Sequence, residues 1–214
     1  MEDFWSRLEE VRSRWNVLEH PFYERWSEGA LSREDLGRYA GQYRHVVVAL
    51  ADAAASAARH AEPAQRRALE AHAAEEASHV ALWDDFARAV DGDPASSAEP
   101  ETTACAEAWA GDGERELLPS LVALYAIESG QPAISETKLA GLREHYAVDD
   151  PSATAYFELH AELDHAHAAA ERALIEPRLA EADAGALLAE AESVLRANWR
   201  LLDGVQRINE RNCA

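Results

Sequence analysis

Helix-favouring residues occupy this chain almost without interruption. Ala, Leu, Glu and Arg dominate, β-branched residues are sparse, and no stretch alternates apolar and polar side chains for long enough to form a strand. Hydrophobic residues make up 48% of the 214 residues, which is enough to bury a substantial core. The sequence therefore predicts an all-α protein, a single compact helical bundle of about seven or eight helices over residues 1–214.

Capping residues set the predicted helix boundaries. Ser32, with Asp35 three residues later, forms a capping-box pattern at the start of a long helix that runs to about His60. Pro63 is typical of a first helical position, and the helix that it begins should run to about Val90. The segment DGDPASSAEPET that follows is the clearest loop. The other predicted helices lie near residues 3–18, 22–29, 101–111, 115–129, 132–147, 152–175 and 184–210.

Acidic residues outnumber basic ones by 40 to 20, which gives a formal net charge of -20. Such a charge repels phosphate backbones and anionic lipid. No apolar run approaches the roughly 18 residues of a membrane span, and MEDFWSRLEE lacks the features of a signal peptide. Cys105 and Cys213 form neither a disulfide framework nor a metal-spaced pair. We therefore expect a cytoplasmic protein that binds neither nucleic acid nor a membrane.

Ligand-type side chains share one face of the helix predicted near residues 152–175. At roughly 100° per residue, His160, Asp164 and His167 fall within about 60° of one another on the helix surface. His165 points to nearly the opposite side. Three potential ligands on one face of a helix are typical of a metal site.

Two other helices carry candidate partners for this face. Glu76 and His79 have the i, i+3 spacing that lets a carboxylate and an imidazole reach one ion, and Glu75, at i, i+4 from His79, would reach nearly as well. His72 shares the face of Glu76, where we expect it to be a hydrogen-bond partner outside the ligand set. Glu128 ends a strongly apolar helix, where a carboxylate is costly without a partner.

The combined set of three imidazoles and three carboxylates favours iron or manganese over structural zinc, which prefers thiolate-rich sites. Two ferrous ions bring +4 and three carboxylates bring -3, so the charge is nearly balanced and burial is tolerable. A ferritin-like site would show two lone Glu and two Glu-x-x-His pairs, whereas His160 stands in place of one lone Glu here.

Four stretches that cover most of residues 18–175 resemble a known superfamily. They are LEHPFYERWSEGALSREDLGRYAGQY, EEASHVALWDDFARAV, LYAIESGQPAISETKLAGL and YFELHAELDHAHAAAERALIE. The chain resembles the heme-oxygenase-like diiron oxidases, which have the TenA/PqqC-like fold, and among them most closely the chlamydial protein associating with death domains and related 4-aminobenzoate synthase-like proteins.

The resemblance implies a dinuclear non-haem iron oxygenase that uses two Fe(II) ions, or an Fe/Mn pair, with O2 and an external reductant. The implied ligands are Glu76, His79, Glu128, His160, Asp164 and His167. The longer Glu-to-His spacing of the chlamydial protein aligns with Glu75 instead, while the Glu-x-x-His spacing of the decarboxylase UndA favours Glu76. We adopt Glu76.

The only lysine of the chain, Lys138, follows Glu128 by the interval found in the 4-aminobenzoate synthase-like proteins. Those proteins are thought to excise one of their own tyrosines, here matched by Tyr23, with the lysine as amino donor. A desolvated lysine amine becomes a neutral nucleophile, which an arginine cannot. The relatives have a second tyrosine just before the ligand Glu, where this chain has Ile127, so that route for radical transfer is lost, although Tyr156, Tyr43 or Trp83 could lie near the iron.

Other interpretations stay open at this point. Lys138 could be a solvated residue paired with Glu136 or Glu144, and Tyr23 could be ordinary aromatic packing. The protein could instead be a diiron oxidase of a small external amino or carboxylic acid, a metal-free TenA- or PqqC-type enzyme, or a non-enzymatic interaction protein. The expected partner is a small molecule or the self-derived tyrosyl substrate. Relatives of this fold often pair, so a homodimer is possible, although no residue specifies it.

Overall fold

The computed structural model describes residues 2–212 of the chain. Its α-helices are α1 (Glu2–Arg14), α2 (Pro21–Ser27), α3 (Arg33–Arg59), α4 (Pro63–Ala89), α5 (Pro100–Ala110), α6 (Leu117–Glu128), α7 (Gln131–His145), α8 (Pro151–Ile175) and α9 (Ala184–Asn212). Short 3-10 segments lie at Val17–Glu19 and Glu176–Glu181, and no strand occurs in residues 2–212. The all-α prediction is confirmed.

The predicted caps form as expected at the two longest central helices. The hydroxyl of Ser32 accepts a hydrogen bond from the backbone N–H of Asp35 (3.1 Å), and the carboxylate of Asp35 accepts one from the N–H of Ser32 (2.9 Å). This reciprocal pair satisfies two N–H groups at the start of α3. Pro63 is the first residue of α4, where its missing N–H costs nothing.

The N-terminal helix is shorter than its apolar spacing predicts, because α1 ends at Arg14 and not near residue 18. The side chain of Asn16 accepts a hydrogen bond from the N–H of Leu18 (3.2 Å) and begins a 3-10 turn. The ring of His20 then accepts one from the N–H of Phe22 (3.0 Å) and caps α2. These local side-chain acceptors compete with continued helix and redirect the chain.

A close approach of α2 to α7 depends on glycine. A Cβ at Gly141 would lie 2.6 Å from the Trp26 ring, well inside contact distance. The indole N–H of Trp26 also donates to the backbone carbonyl of Lys138 (3.2 Å). Trp26 therefore fixes α2 against the middle of α7.

The packing of α8 determines where its polar face is buried. This helix packs against α4, α6 and α7, while α3 packs against α4, α5 and α6. The faces of α4, α6 and α8 with ligand-type side chains consequently meet inside the protein. Within the described part of the chain, no helix has both the length and the apolar character to cross a membrane. Cys105 is a buried free thiol, and Cys213 lies outside the described residues.

Candidate metal centre

The six side chains predicted to bind metal lie in one cluster between three helices. They are Glu76 and His79 from α4, Glu128 at the end of α6, and His160, Asp164 and His167 from α8. All are buried except His167, which is partly buried. The structure thus brings together groups that are up to 91 residues apart in sequence, since α4 and α8 lie side by side.

One end of the cluster contains the rings of His79 and His160. Their centroids are 4.7 Å apart, and Nδ1 of His79 lies 3.1 Å from Oε1 of Glu76. Nδ1 of His160 is hydrogen-bonded to Oδ2 of Asp164 (2.9 Å). Single ligand atoms of Glu76, His79 and His160 lie within 4.8 Å of one another, which places them around a common point.

The other end of the cluster centres on His167. Its Nδ1 lies 3.5 Å from Oε2 of Glu128 and 3.5 Å from Oδ1 of Asp164. The carboxylates of Asp164 and Glu128 beside the ring raise the pKa of His167 to about 11. Burial opposes the ionisation of Glu128, yet the neighbouring imidazoles of His167 and His72 leave its pKa lowered. In the metal-free protein, then, protonated imidazole supplies the positive charge that a metal ion would bring.

Several buried atoms that face the cluster have no hydrogen-bond partner. These atoms are Glu76 Oε1, His79 Nδ1, both carboxylate oxygens of Glu128, His160 Nε2, Asp164 Oδ1 and His167 Nδ1. A buried polar atom without a partner costs about 1–3 kcal/mol. Imidazole nitrogens and carboxylate oxygens are donors that iron accepts, so these residues fit a metal ion.

The structure separates Glu75 from Glu76. Glu76 is buried in the cluster, whereas the side chain of Glu75 is 41% exposed and lies outside it. A carboxylate oxygen of Glu75 is hydrogen-bonded to Nε2 of His167 (3.3 Å), which leaves Nδ1 of that ring facing the cluster. Glu75 therefore orients a candidate ligand, as carboxylates commonly do for metal-binding histidines.

Two further residues extend the cluster beyond the predicted set. Nε2 of His72 lies 3.3 Å from Oε1 of Glu128, although the sequence placed His72 outside the ligand set. Glu171 is only 2% exposed, and neither of its carboxylate oxygens has a hydrogen bond. Burial, and then the charges of Glu128 and Asp164, raise its pKa well above the ordinary value. The signal that could have revealed Glu171 is its position one turn after His167 on the same face of α8.

Tyr23 and Lys138 meet in a buried aromatic cluster. Lys138 is 1% exposed, which excludes a solvated lysine paired with Glu136 or Glu144. Its Nζ lies 5.7 Å from the ring centroid of Tyr23. Burial is the sole cause that lowers the pKa of Lys138 to about 7. Four other rings have centroids within 5.5 Å of Nζ, namely those of Tyr39, Tyr43, Trp83 and Phe157.

Contacting rings connect Tyr23 to the six candidate metal ligands, which together we call the metal-type cluster. The hydroxyls of Tyr23 and Tyr39 are hydrogen-bonded (3.2 Å), and the ring of Tyr39 lies 6.0 Å from that of Trp83. Trp83 contacts Tyr156 (4.9 Å between centroids), which in turn packs on His160 (4.2 Å). Every member of this path is buried. Tyr156 thus lies beside a candidate ligand.

Comparisons with known proteins identify the family and the fold of the chain. A protein-family model described as iron-containing redox enzyme matches residues 37–199. A 4-aminobenzoate synthase of Nitrosomonas europaea is 32% identical over 99% of this chain and 93% of its own length, and one of Chlamydia muridarum is 31% identical over 94% and 89%. A TenA homologue from Pseudomonas syringae pv. tomato superposes with a TM-score of 0.81 at 17% identity, covering 96% of this chain and 92% of its own. A domain of unknown function with a heme oxygenase-like fold from Shewanella denitrificans gives 0.78 at 18% identity, over 94% and 91%.

Proposed function

Because the chain belongs to the family of iron-containing redox enzymes, we propose that it is a dinuclear iron oxygenase that makes 4-aminobenzoate from its own Tyr23, with Lys138 as the amino donor. The observation that carries the proposal is the buried amine of Lys138, which has no charged partner within the described residues and lies 5.7 Å from the centroid of the Tyr23 ring. The name 4-aminobenzoate synthase, shared by relatives that match nearly the whole chain, supports the product.

The iron pair would be held by six side chains, namely Glu76, His79, Glu128, His160, Asp164 and His167. When bound, iron would activate O2 with electrons from an external reductant. The chain itself contributes the donor atoms, most of which lie on buried side chains. It also contributes Glu75, whose hydrogen bond directs Nδ1 of His167 towards the cluster.

Tyr23 has the carbon skeleton that the product requires. A tyrosine side chain is a ring with one attached carbon, and 4-aminobenzoate is the same ring with that carbon oxidised to a carboxyl group and an amine at the para position. Formation of the product therefore breaks the Cα–Cβ bond of Tyr23 and its ring C–O bond, whose oxygen leaves as water. The nitrogen reaches the ring when the Cε–Nζ bond of Lys138 breaks, which leaves an aldehyde at Cε. O2, with electrons from the external reductant, is the oxidant for Cβ.

Lys138 is suited to supply that nitrogen because its amine is neutral at a modest pH. With a pKa of about 7, a large share of Lys138 is unprotonated near neutrality. Only the neutral amine has the free electron pair that a nucleophile needs. Arginine stays protonated in proteins, which explains why the single lysine of an otherwise arginine-based chain occupies this position.

The path of contacting rings offers a route for oxidation to reach Tyr23 from the metal cluster. Tyr156 packs on His160, and Trp83 links Tyr156 to Tyr39. These contacts compensate for the absence of a tyrosine at position 127. Radical transfer through Tyr156 was one of the routes that the sequence left open.

A metal-free hydrolase that uses a cysteine nucleophile finds little support in the described residues. Cys105 is fully buried in the core, and burial raises the pKa of its thiol far above the ordinary value. A reactive thiol requires the opposite environment, exposed and electropositive.

Intact-mass spectrometry with peptide mapping tests the proposal directly. After reaction with ferrous iron, reductant and O2, the wild-type chain should lose mass at Tyr23 and Lys138, with at most one molecule of 4-aminobenzoate formed per chain. Tyr23→Phe and Lys138→Arg should each abolish the product, and Lys138→Arg should still bind metal. Tyr125→Phe is the matched control, since Tyr125 packs against Trp5 outside the Tyr23–Lys138 cluster. Product from Tyr23→Phe, or repeated turnover on an added acid without loss of mass, would refute self-excision.

A further inference from the structure

We propose that Glu171 and His72 are metal ligands in addition to the six residues named above, and that with Glu128 they hold the second ion at one end of the centre. The inference rests on the proposed metal centre and extends it. Single ligand atoms of His72, Glu128 and Glu171 lie within 4.8 Å of one another, as do those of Glu76, His79 and His160 at the opposite end.

The two helices form a ladder of ligand-type side chains with two distinct ends. At one end the rings of His79 and His160 are 4.7 Å apart, and at the other those of His72 and His167 are 4.3 Å apart. The sequence order is reversed between these pairs, so α4 and α8 run antiparallel. From His72 to His79 the helix rises about 10 Å. Paired ions in dinuclear sites lie only about 3.5–4 Å apart, so the end with His72 serves a different ion from the end with His79.

Glu171 has the features of a ligand and lacks those of a structural carboxylate. Both of its oxygens are buried without a hydrogen bond, whereas Glu190 pairs with Arg115 and Glu101 with Arg207. A carboxylate oxygen of Glu171 lies within 4.8 Å of one of Glu128, inside the protein. Two buried carboxylates this close, with no hydrogen bond to Glu171, make the position costly unless a cation binds there.

Charge balance favours the same assignment. Glu76, Glu128 and Asp164 supply -3, one short of the +4 that two ferrous ions bring. Glu171 completes the balance, so that the buried centre carries no net charge when loaded. His72 adds a neutral nitrogen: its Nε2 lies 3.3 Å from Glu128 and 3.8 Å from Glu76, and has no hydrogen bond.

Metal binding tests the inference separately from product formation. Anaerobic equilibrium dialysis against ferrous iron, and in parallel against Mn²⁺, should give two equivalents per wild-type chain. Glu171→Gln keeps the shape of the side chain but removes its charge, and it should retain one ion while the affinity for the second falls at least tenfold. His72→Gln should weaken the same ion. Glu162→Gln, an exposed carboxylate on the same helix, is the matched control and should bind as the wild type does.

Thermal unfolding provides a second readout. Without metal, Glu171→Gln should melt at or above the wild-type temperature, because a buried carboxyl among three others is replaced by an amide. With metal, its gain in melting temperature should be smaller than that of the wild type. If Glu171→Gln binds two ions with wild-type affinity, the inference is wrong while the proposed function stands. If the wild type itself binds no second ion, both fail. If Glu171→Gln does not fold, Glu171→Asp takes its place. Wild-type affinity of Glu171→Asp for both ions, together with unchanged metal binding in His72→Gln, would then refute the inference.

Discussion

Replacing Lys138 with methionine should remove a specific pH dependence from the stability of the metal-free protein. Burial lowers the pKa of Lys138 from 10.5 to about 7 in the folded state. Between these two values the unfolded chain binds more protons than the folded one, so the free energy of unfolding rises with pH. The penalty for burying the ammonium is fully present below pH 7 and is relieved as pH rises towards 10.5.

The size of this effect follows from the two pKa values. At about 1.4 kcal/mol for each pKa unit, the full penalty is about 5 kcal/mol at low pH. Roughly 2 kcal/mol of it should be regained between pH 7 and pH 9. Methionine fills a similar volume without a charge, so Lys138→Met should be more stable than the wild type at pH 7, and the difference should shrink by roughly 2 kcal/mol at pH 9.

Urea unfolding of both metal-free proteins at pH 7 and pH 9 measures this double difference. The contributions of the metal-type cluster are common to both proteins and cancel. Work above about pH 9.5 is avoided because the tyrosines of the unfolded chain begin to ionise there, while burial raises the pKa of Tyr23 and Tyr39 in the folded state. Lys138→Arg is the contrasting variant, since guanidinium stays charged and gains no relief at pH 9. Stability curves of wild type and Lys138→Met that run parallel between the two pH values would refute a neutral buried amine.

Three further outcomes are expected. Glu76→Gln should lose metal from the centre, whereas Glu75→Gln should weaken metal affinity by only about 10–100-fold. Equilibrium dialysis of both variants measures this difference. Equal losses of metal affinity would contradict the placement of Glu75 outside the cluster. Gly141→Ala should lower the free energy of unfolding by about 1–3 kcal/mol, measured by urea unfolding, because the added methyl group meets the Trp26 ring at 2.6 Å. Tyr156→Phe should slow product formation without changing metal content, because the ring that packs on His160 is kept and only the hydroxyl group is lost. An unchanged rate in rapid-mixing assays would exclude Tyr156 from the oxidation route.

Helical periodicity predicted the parts of the site that depend on one helix alone. His160, Asp164 and His167 lie on one face because 3.6 residues make a turn, and no tertiary information is required for that conclusion. The capping box at Ser32 is equally local. The resemblance of four stretches to heme-oxygenase-like iron enzymes added the order of the candidate ligands along the chain, and the family match over residues 37–199 confirms that resemblance.

Residues whose role depends on a neighbouring helix could not be predicted in this way. Glu171 follows His167 by four residues, but pairs with this spacing are common on solvated helix faces. Only the contact of α8 with α6 and α4 shows that Glu171 faces Glu128 and His72 and not water. Similarly, the burial of Lys138 depends on rings that other helices bring to Nζ, such as those of Tyr23, Tyr43 and Phe157. No periodicity within α7 predicts those contacts.

The aromatic rings between Lys138 and the metal-type cluster have a chemical consequence for the amine. A carboxylate about 4 Å from Nζ would contribute about 4 kcal/mol at an effective dielectric constant of 20, which is about three pKa units. That interaction alone would return Lys138 to the pKa of an ordinary lysine and leave it protonated. The ring centroid of Trp83 lies 5.4 Å from Nζ, Trp83 also contacts Tyr156, and Tyr156 packs on His160. The same rings that connect the two clusters therefore lie between the amine and the buried carboxyl groups of the metal-type cluster, and within residues 2–212 burial alone shifts the pKa of Lys138.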